Sequence, residues 1–209
     1  MARAPSTPNN APARKRGRPA EFQRDRALDA ALATFWLRGY SGASLEHLTT
    51  AMDINKPSLY AAFGNKEQLY EAAIDHYLTN IGATYLAPLA VPEIRAALEG
   101  FFDAMISGVS GKHGPSGCIV ACTLPAEAGV SGTARSKLAA VLAELDAALV
   151  ARVAAGQRAG EISKRRDPYA VGQLITSGML AISIRARSGA SRKSLRATAD
   201  EFVAAAIAP

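Results

Sequence analysis

Cysteine and histidine are scarce in this chain, with two of the first and three of the second in 209 residues. Cys118 and Cys122 form no C-x-x-C pair, and with His113 nearby they still fall short of a complete metal site, so no metal is expected. Other absences are equally informative. There is no G-x-S-x-G elbow, no Walker loop, no H-E-x-x-H and no dinucleotide-binding glycine motif. Apparent acid pairs sit on helix faces and read as solvated charge. An enzyme is therefore not expected, and no cofactor is expected either. No apolar run approaches the roughly 18 residues that cross a bilayer. The N-terminus is positively charged but has no apolar core behind it, so it does not read as a secretory signal and the expected location is the cytoplasm.

Hydrophobic residues make up 49% of the chain and charged residues 20%, the balance of a soluble globular protein. Net charge is +6, and its placement says more than its total. Residues 1–66 hold ten Lys or Arg against five Asp or Glu, whereas the other 143 residues hold fourteen against thirteen. Nearly all the excess positive charge lies in the first third. A polyanion is the natural partner for that third, and the remainder has no electrostatic reason to bind one. A non-specific DNA-packaging protein would have no use for so large a near-neutral remainder.

The stretch Ser44–Lys66 reads as two short helices joined by a tight turn. Leu45, Leu48, Met52, Ile54, Leu59 and Phe63 supply the apolar contacts between them, and Lys56, Ser58 and Tyr60 share an exposed face of the second helix. That is the layout of a helix-turn-helix, whose second helix enters the DNA major groove. Ser44, Asn55 and Asn65 are placed to cap successive helices, and Pro57 fits a first helical turn. Lys66 lies at a positive helix end, an unhelpful place unless it faces a phosphate. Upstream, residues 1–18 lack apolar periodicity and close on Arg14, Lys15, Arg16 and Arg18. The cluster reads either as a solubilising tail or, because it precedes a DNA-binding unit, as an arm lying in the minor groove.

Spacings of three and four predict a first helix over 21–38, ended by Gly39, with Trp36 in the core. Further helices are predicted over 67–86, 93–109, 118–127, 133–159, 169–187 and 192–207. No segment alternates, so the fold class is all-α: a three-helix DNA-binding domain over 19–66 and a larger helical domain over 67–209. Small residues intersperse the penultimate helix, namely Gly172, Ser177, Gly178 and Ala181. They suit either a packed dimer interface or close packing within one chain, and a dimer would match two half-sites about 34–36 Å apart.

These residues also carry a resemblance. Arg16-Gly17-Arg18-Pro19, Arg24-Asp25-x-Ala27-Leu28-Asp29, Phe35-Trp36-x-x-Gly39-Tyr40 and the run from Ser44-Leu45 through Pro57-Ser58-Leu59-Tyr60-x-x-Phe63-x-Asn65-Lys66-Glu67-x-Leu69 resemble the DNA-binding segment of TetR-family transcription regulators. The tail from Ile182 to Ser191, with Gly117-Cys118, is similar to a ComR-like subgroup of that family. The resemblance implies a homodimeric repressor that binds a palindromic double-stranded DNA operator and is released by a small-molecule effector. Carried over by position, Lys56, Pro57 and Ser58 would approach base edges, while Ser44, Tyr60 and Lys66 would hold phosphates. Asp53 departs from the pattern, which usually has Gly in the turn. Asp tolerates the left-handed conformation, so the turn is expected to survive with an added negative charge near DNA.

For the effector, Phe101, Phe102, Met105, Leu124, Leu142 and Leu145 are candidate apolar lining, and Tyr77, Tyr85, Glu127, Gln173 and Thr176 candidate polar contacts. Cys118 and Cys122, four residues apart, would share one helix face. They read as buried hydrophobes, as a redox pair or as soft-metal ligands.

Overall fold

The computed structural model describes residues 20–110, 116–129 and 131–209, and among them the chain is helical throughout, with no strand. Helix α1 (Ala20–Gly42) is interrupted at Gly39, whose φ of 69° and ψ of 170° lie outside the helical range. Helix α2 (Leu45–Met52) begins on Ser44, whose hydroxyl accepts from the His47 N–H at 3.1 Å, while the His47 ring accepts from the Ser44 N–H. That reciprocal box satisfies two backbone donors, with His in the place usually taken by Glu or Gln.

Helix α3 (Lys56–Phe63) starts on Asn55, which accepts from the Ser58 N–H at 2.8 Å, and carries Pro57 in its first turn. Helix α4 (Lys66–Leu86) starts on Asn65 in a second capping box, closed by Gln68. A 3-10 turn (Ala87–Ala90) holds Pro88, and α5 (Ile94–Val109) follows, capped by Glu93. Two one-turn helices, α6 (Ile119–Cys122) and α7 (Leu124–Glu127), lead into α8 (Gly132–Ala159), α9 (Pro168–Arg187) and α10 (Arg192–Ile207).

Among the described residues one apolar cluster runs from Leu28 of α1 to Ala206 of α10. Phe35, Leu48, Leu59, Leu69 and Tyr70 tie the first three helices to α4, and Leu98, Phe101, Met105, Ile119, Leu149, Ile175 and Ile182 fill the space between α5, α6, α8 and α9. Each such side chain contributes about 1.5–3 kcal/mol of burial. Arg24 fastens the outer end of α3: its guanidinium lies 4.6 Å from the Phe63 ring centroid and donates to the Ala62 carbonyl at 2.9 Å.

The structure departs from two expectations. Residues 118–127 form two turns, not one helix, because Pro125 has no N–H to continue the ladder and Thr123 takes φ −124°, ψ −50°. Gly172 and Gly178 have partners within the chain. A Cβ on Gly172 would lie 2.9 Å from Val150 Cγ2 of α8, and one on Gly178 would lie 2.6 Å from the Phe202 ring of α10. Both are buried, so neither is presented to a second copy; Ser177 is exposed and Ala181 half-buried. Among the described residues no helix is long and apolar enough to cross a membrane.

Candidate nucleic-acid interface and effector cavity

Helix α3 is anchored from behind and open in front. Leu59 is wholly buried and Phe63 nearly so, while Lys56, Pro57, Ser58 and Tyr60 are exposed, Tyr60 to 49%. The four exposed positions therefore project from a helix whose other side is fixed in the core. Asp53 holds φ 53° and ψ 46°, the left-handed turn that the sequence pointed to, and its N–H donates to the Thr50 carbonyl. The carboxylate is exposed at the rim of a shallow groove lined also by Thr49, Thr50, Asn55 and Ser58.

Ser44 is exposed at the start of α2, and since its oxygen accepts from His47, its O–H is still a donor to an anion outside. Lys66 does not point freely outward. Its ammonium lies 4.5 Å from the Tyr40 ring centroid, and burial lowers its pKa, opposed by the charge of Glu127. Arg14, Arg16, Arg18 and His113 lie outside the described residues.

Behind this unit, α4, α5, α6, α8 and α9 enclose a cavity of about 120 Å³. Phe101, Met105 and Cys118 of the expected lining are there, with Tyr77, Tyr85 and Leu145. The other seven candidates are elsewhere. Phe102, one residue from Phe101 and so about 100° round α5, faces α10 and lies 6.4 Å from the Phe202 ring. Leu124 is core, Leu142 is half-buried outside the cavity, and Cys122 faces the Ser183 carbonyl. Gln173 is exposed and donates to the Tyr169 hydroxyl at 3.0 Å. Thr176 donates to Asp146, and Glu127 accepts from the Tyr40 N–H at 2.9 Å, away from the cavity. Sequence reasoning missed Leu78, Ile81, Gly82, Leu86, Val120, Val141, Glu144 and Met179. Those on α4 and α8 stand three and four apart, a signal that marks the inner face but not an opening in it.

The polar content of the cavity is a hydroxyl–thiol cluster. Tyr77 Oη donates to Cys118 Sγ at 3.3 Å. Burial pushes the Cys118 thiol up, although the Tyr77 bond opposes it, and burial also raises Cys122. Tyr77 is pushed far above the ordinary phenol range by burial, and Tyr85 up to about 12 by burial and then by Cys118. All four hold their protons at neutral pH. The two thiols do not share a face: Cys118 precedes α6 and meets α4, whereas Cys122 meets α9. Among the described residues no Lys or Arg lines the cavity, and Glu144, exposed, is the one charged side chain there. Across the cavity wall, the Tyr77 ring stands edge-on to Trp36 of α1 with centroids 5.3 Å apart.

Comparison with known proteins reaches both halves of the chain. The family model described as "Bacterial regulatory proteins, tetR family" matches residues 27–73, and that described as "Tetracyclin repressor-like, C-terminal domain" matches residues 95–202. Over 188 residues the chain is 35% identical to the HTH-type transcriptional repressor ComR of Escherichia coli (strain K12), a match covering 87% of this chain and 88% of that protein. Among solved structures, a cysteine mutant of the TetR family transcriptional regulator CifR, complexed with 26bp double-strand operator DNA, is 32% identical with a TM-score of 0.79. That match covers 90% of this chain and 99% of CifR. A TetR-family regulator from Cytophaga hutchinsonii shares the fold at 20% identity, with a TM-score of 0.78 over 90% and 94% of the two chains.

Proposed function

The chain belongs to the tetR family of bacterial regulatory proteins, which are DNA-binding transcription regulators and not enzymes, and we propose that it is a homodimeric repressor released from a palindromic operator by a small uncharged effector. The observation that carries this reading is the exposed face of α3, held by buried Leu59 and Phe63, in a chain whose later helices contain an apolar cavity. In this reading residues 1–18 are a basic arm, 19–66 the DNA-binding domain and 67–209 the effector and dimerisation domain. Lys56, Pro57 and Ser58 meet base edges. Ser44, Tyr60 and Lys66 hold phosphates, Lys66 swinging from the Tyr40 ring to do so, and Arg14, Arg16 and Arg18 follow the minor groove.

For the second copy, the exposed side of α8 offers Ala139, Ala140, Ala143 and Ala147, and α9 offers Ser177, Ala181 and Ile184 beside it. Small side chains of this kind let two helix pairs approach closely. The effector is argued from the cavity's chemistry. Among the described residues no cation lines it to balance an anion, and apart from the exposed Glu144 its polar groups are protonated hydroxyls and a thiol. Thiolate chemistry at Cys118 and Cys122 is disfavoured, because burial raises both thiols.

Binding to a duplex from the region flanking the chain's own gene, compared with random duplex across a salt series, tests the regulator reading. Specific affinity should exceed random by about a thousandfold or more, with log affinity falling linearly against log salt. Equal affinity for both duplexes sinks it.

A further inference from the structure

An unbroken α1 would close a backbone bond from the Tyr40 N–H to the Trp36 carbonyl, four residues back. The non-helical backbone at Gly39 turns that N–H out of the ladder. Each of the two groups has found a charged partner on a helix of the larger domain. The Tyr40 N–H donates to Glu127 Oε1 of α7 at 2.9 Å, and the Trp36 carbonyl accepts from Arg187 Nη2 of α9 at 2.9 Å. The Ser41 hydroxyl adds a donor to Glu127 Oε2 at 3.4 Å. Glu127 is only 7% exposed, and a buried carboxylate is costly unless donors meet it. We propose that Glu127 and Arg187 are the positioning residues that fix the DNA-binding helices against the effector domain, each holding one end of the backbone pair opened at Gly39.

The proposal rests on the regulator reading and adds how occupancy of the cavity reaches α3. Glu127 closes α7, the one-turn helix that follows the segment of Cys118 and Val120, which line the cavity, and Arg187 lies two turns along α9 from Met179, which also lines it. Arg187 Nη1 also donates to the Ser116 carbonyl at 3.2 Å, so α9 and the entry to α6 are tied to the same joint. Beyond the joint, Ala43 and Ser44 lead straight into α2. A shift of α6 or α9 on filling the cavity therefore moves a hydrogen-bonding end of the joint and, through it, the angle at which α2 and α3 are presented. Gly39 itself is required here, because a Cβ at that position would lie 2.8 Å from Glu127 Oε1 at a left-handed φ.

The full chain, Glu127→Ala, Glu127→Gln and Arg187→Ala are compared for affinity to the specific and the random duplex, with hydrogen exchange at the Tyr40 amide as a readout that needs no DNA. Glu127→Ala and Arg187→Ala should each lower the specific-to-random ratio by about tenfold, the size of a typical coupling between sites. Glu127→Gln keeps an oxygen for the Tyr40 N–H and should stay near the parent in both ratio and exchange. Exchange at Tyr40 should quicken in Glu127→Ala. Arg187 is exposed, so its variant folds even where Glu127→Ala does not. A ratio that holds within about twofold or rises in Arg187→Ala, or a Gln variant that behaves like Ala, overturns the proposal. A parent chain with no preference for the specific duplex instead overturns the regulator reading, and the exchange measurement still decides the joint.

Discussion

At the turn between α2 and α3, a single backbone conformation decides whether α3 is presented at the right angle. Asp53 sits there with a positive φ, a region that costs most L-residues about 1–2 kcal/mol but that Asp occupies more readily. Asp53→Gly should leave stability within about 1 kcal/mol of the parent in urea denaturation, whereas Asp53→Val should lose about 1–2 kcal/mol. The same Gly substitution removes an exposed carboxylate from the rim of the α3 groove. It should tighten DNA binding, most clearly at low salt where charges are least screened. Unchanged affinity across a salt series would show that Asp53 stands clear of the duplex.

Two helix pairs of this fold approach closely at a glycine, α8 with α9 at Gly172 and α9 with α10 at Gly178. A methyl group on Gly178 would strike the Phe202 ring between α9 and α10, and overpacking of that kind costs about 1–3 kcal/mol. Gly82, inside α4, has nothing within 4 Å of a Cβ. There Ala replaces a flexible helical glycine and should stabilise by about 0.5–1 kcal/mol. Urea midpoints of Gly178→Ala and Gly82→Ala should thus move in opposite directions, and a shared direction would contradict this packing. The contrast also shows what was readable at this scale. Ser44, Asn55, Pro57 and Asn65 announced helix starts because capping is local chemistry. Whether Gly178 faces a partner chain or α10 depends on helices brought together from elsewhere, and no spacing along one helix reports that. Phe101 and Phe102 make the same point, since both are apolar neighbours and only the position of α10 separates cavity from core. Glu127 read from the sequence as a polar contact for the effector, but its partner at Tyr40 lies 87 residues away.

For the molecule as a whole, the buried hydroxyl–thiol cluster makes stability depend on pH on the alkaline side. Cys118, Cys122, Tyr77 and Tyr85 all hold their protons more tightly in the folded chain than at their ordinary values of 9.0 and 10.0. Below about pH 9 both states keep these protons, and the contribution is fully present. Above it the unfolded chain releases protons that the folded chain retains, so stability falls as pH rises toward about 12, where Tyr85 titrates when folded. Urea midpoints should hold from about pH 7 to 8.5 and then decline, and Tyr85→Phe should flatten the decline above about pH 10. A parent midpoint that stays level through that range would contradict the buried placement of the cluster.

The chain's single tryptophan stands at the junction of its two tasks. Trp36 is 7% exposed, its indole N–H has no acceptor among the described residues, and its ring meets the edge of Tyr77 in the cavity wall. Its carbonyl is the group that Arg187 holds. Nature has thus left one indole fluorophore, free of background from any other, touching both the effector wall and the joint to the DNA-binding helices. Emission from the unlabelled protein can follow compound arrival at the cavity in real time, which turns a library of small uncharged molecules into a direct optical screen.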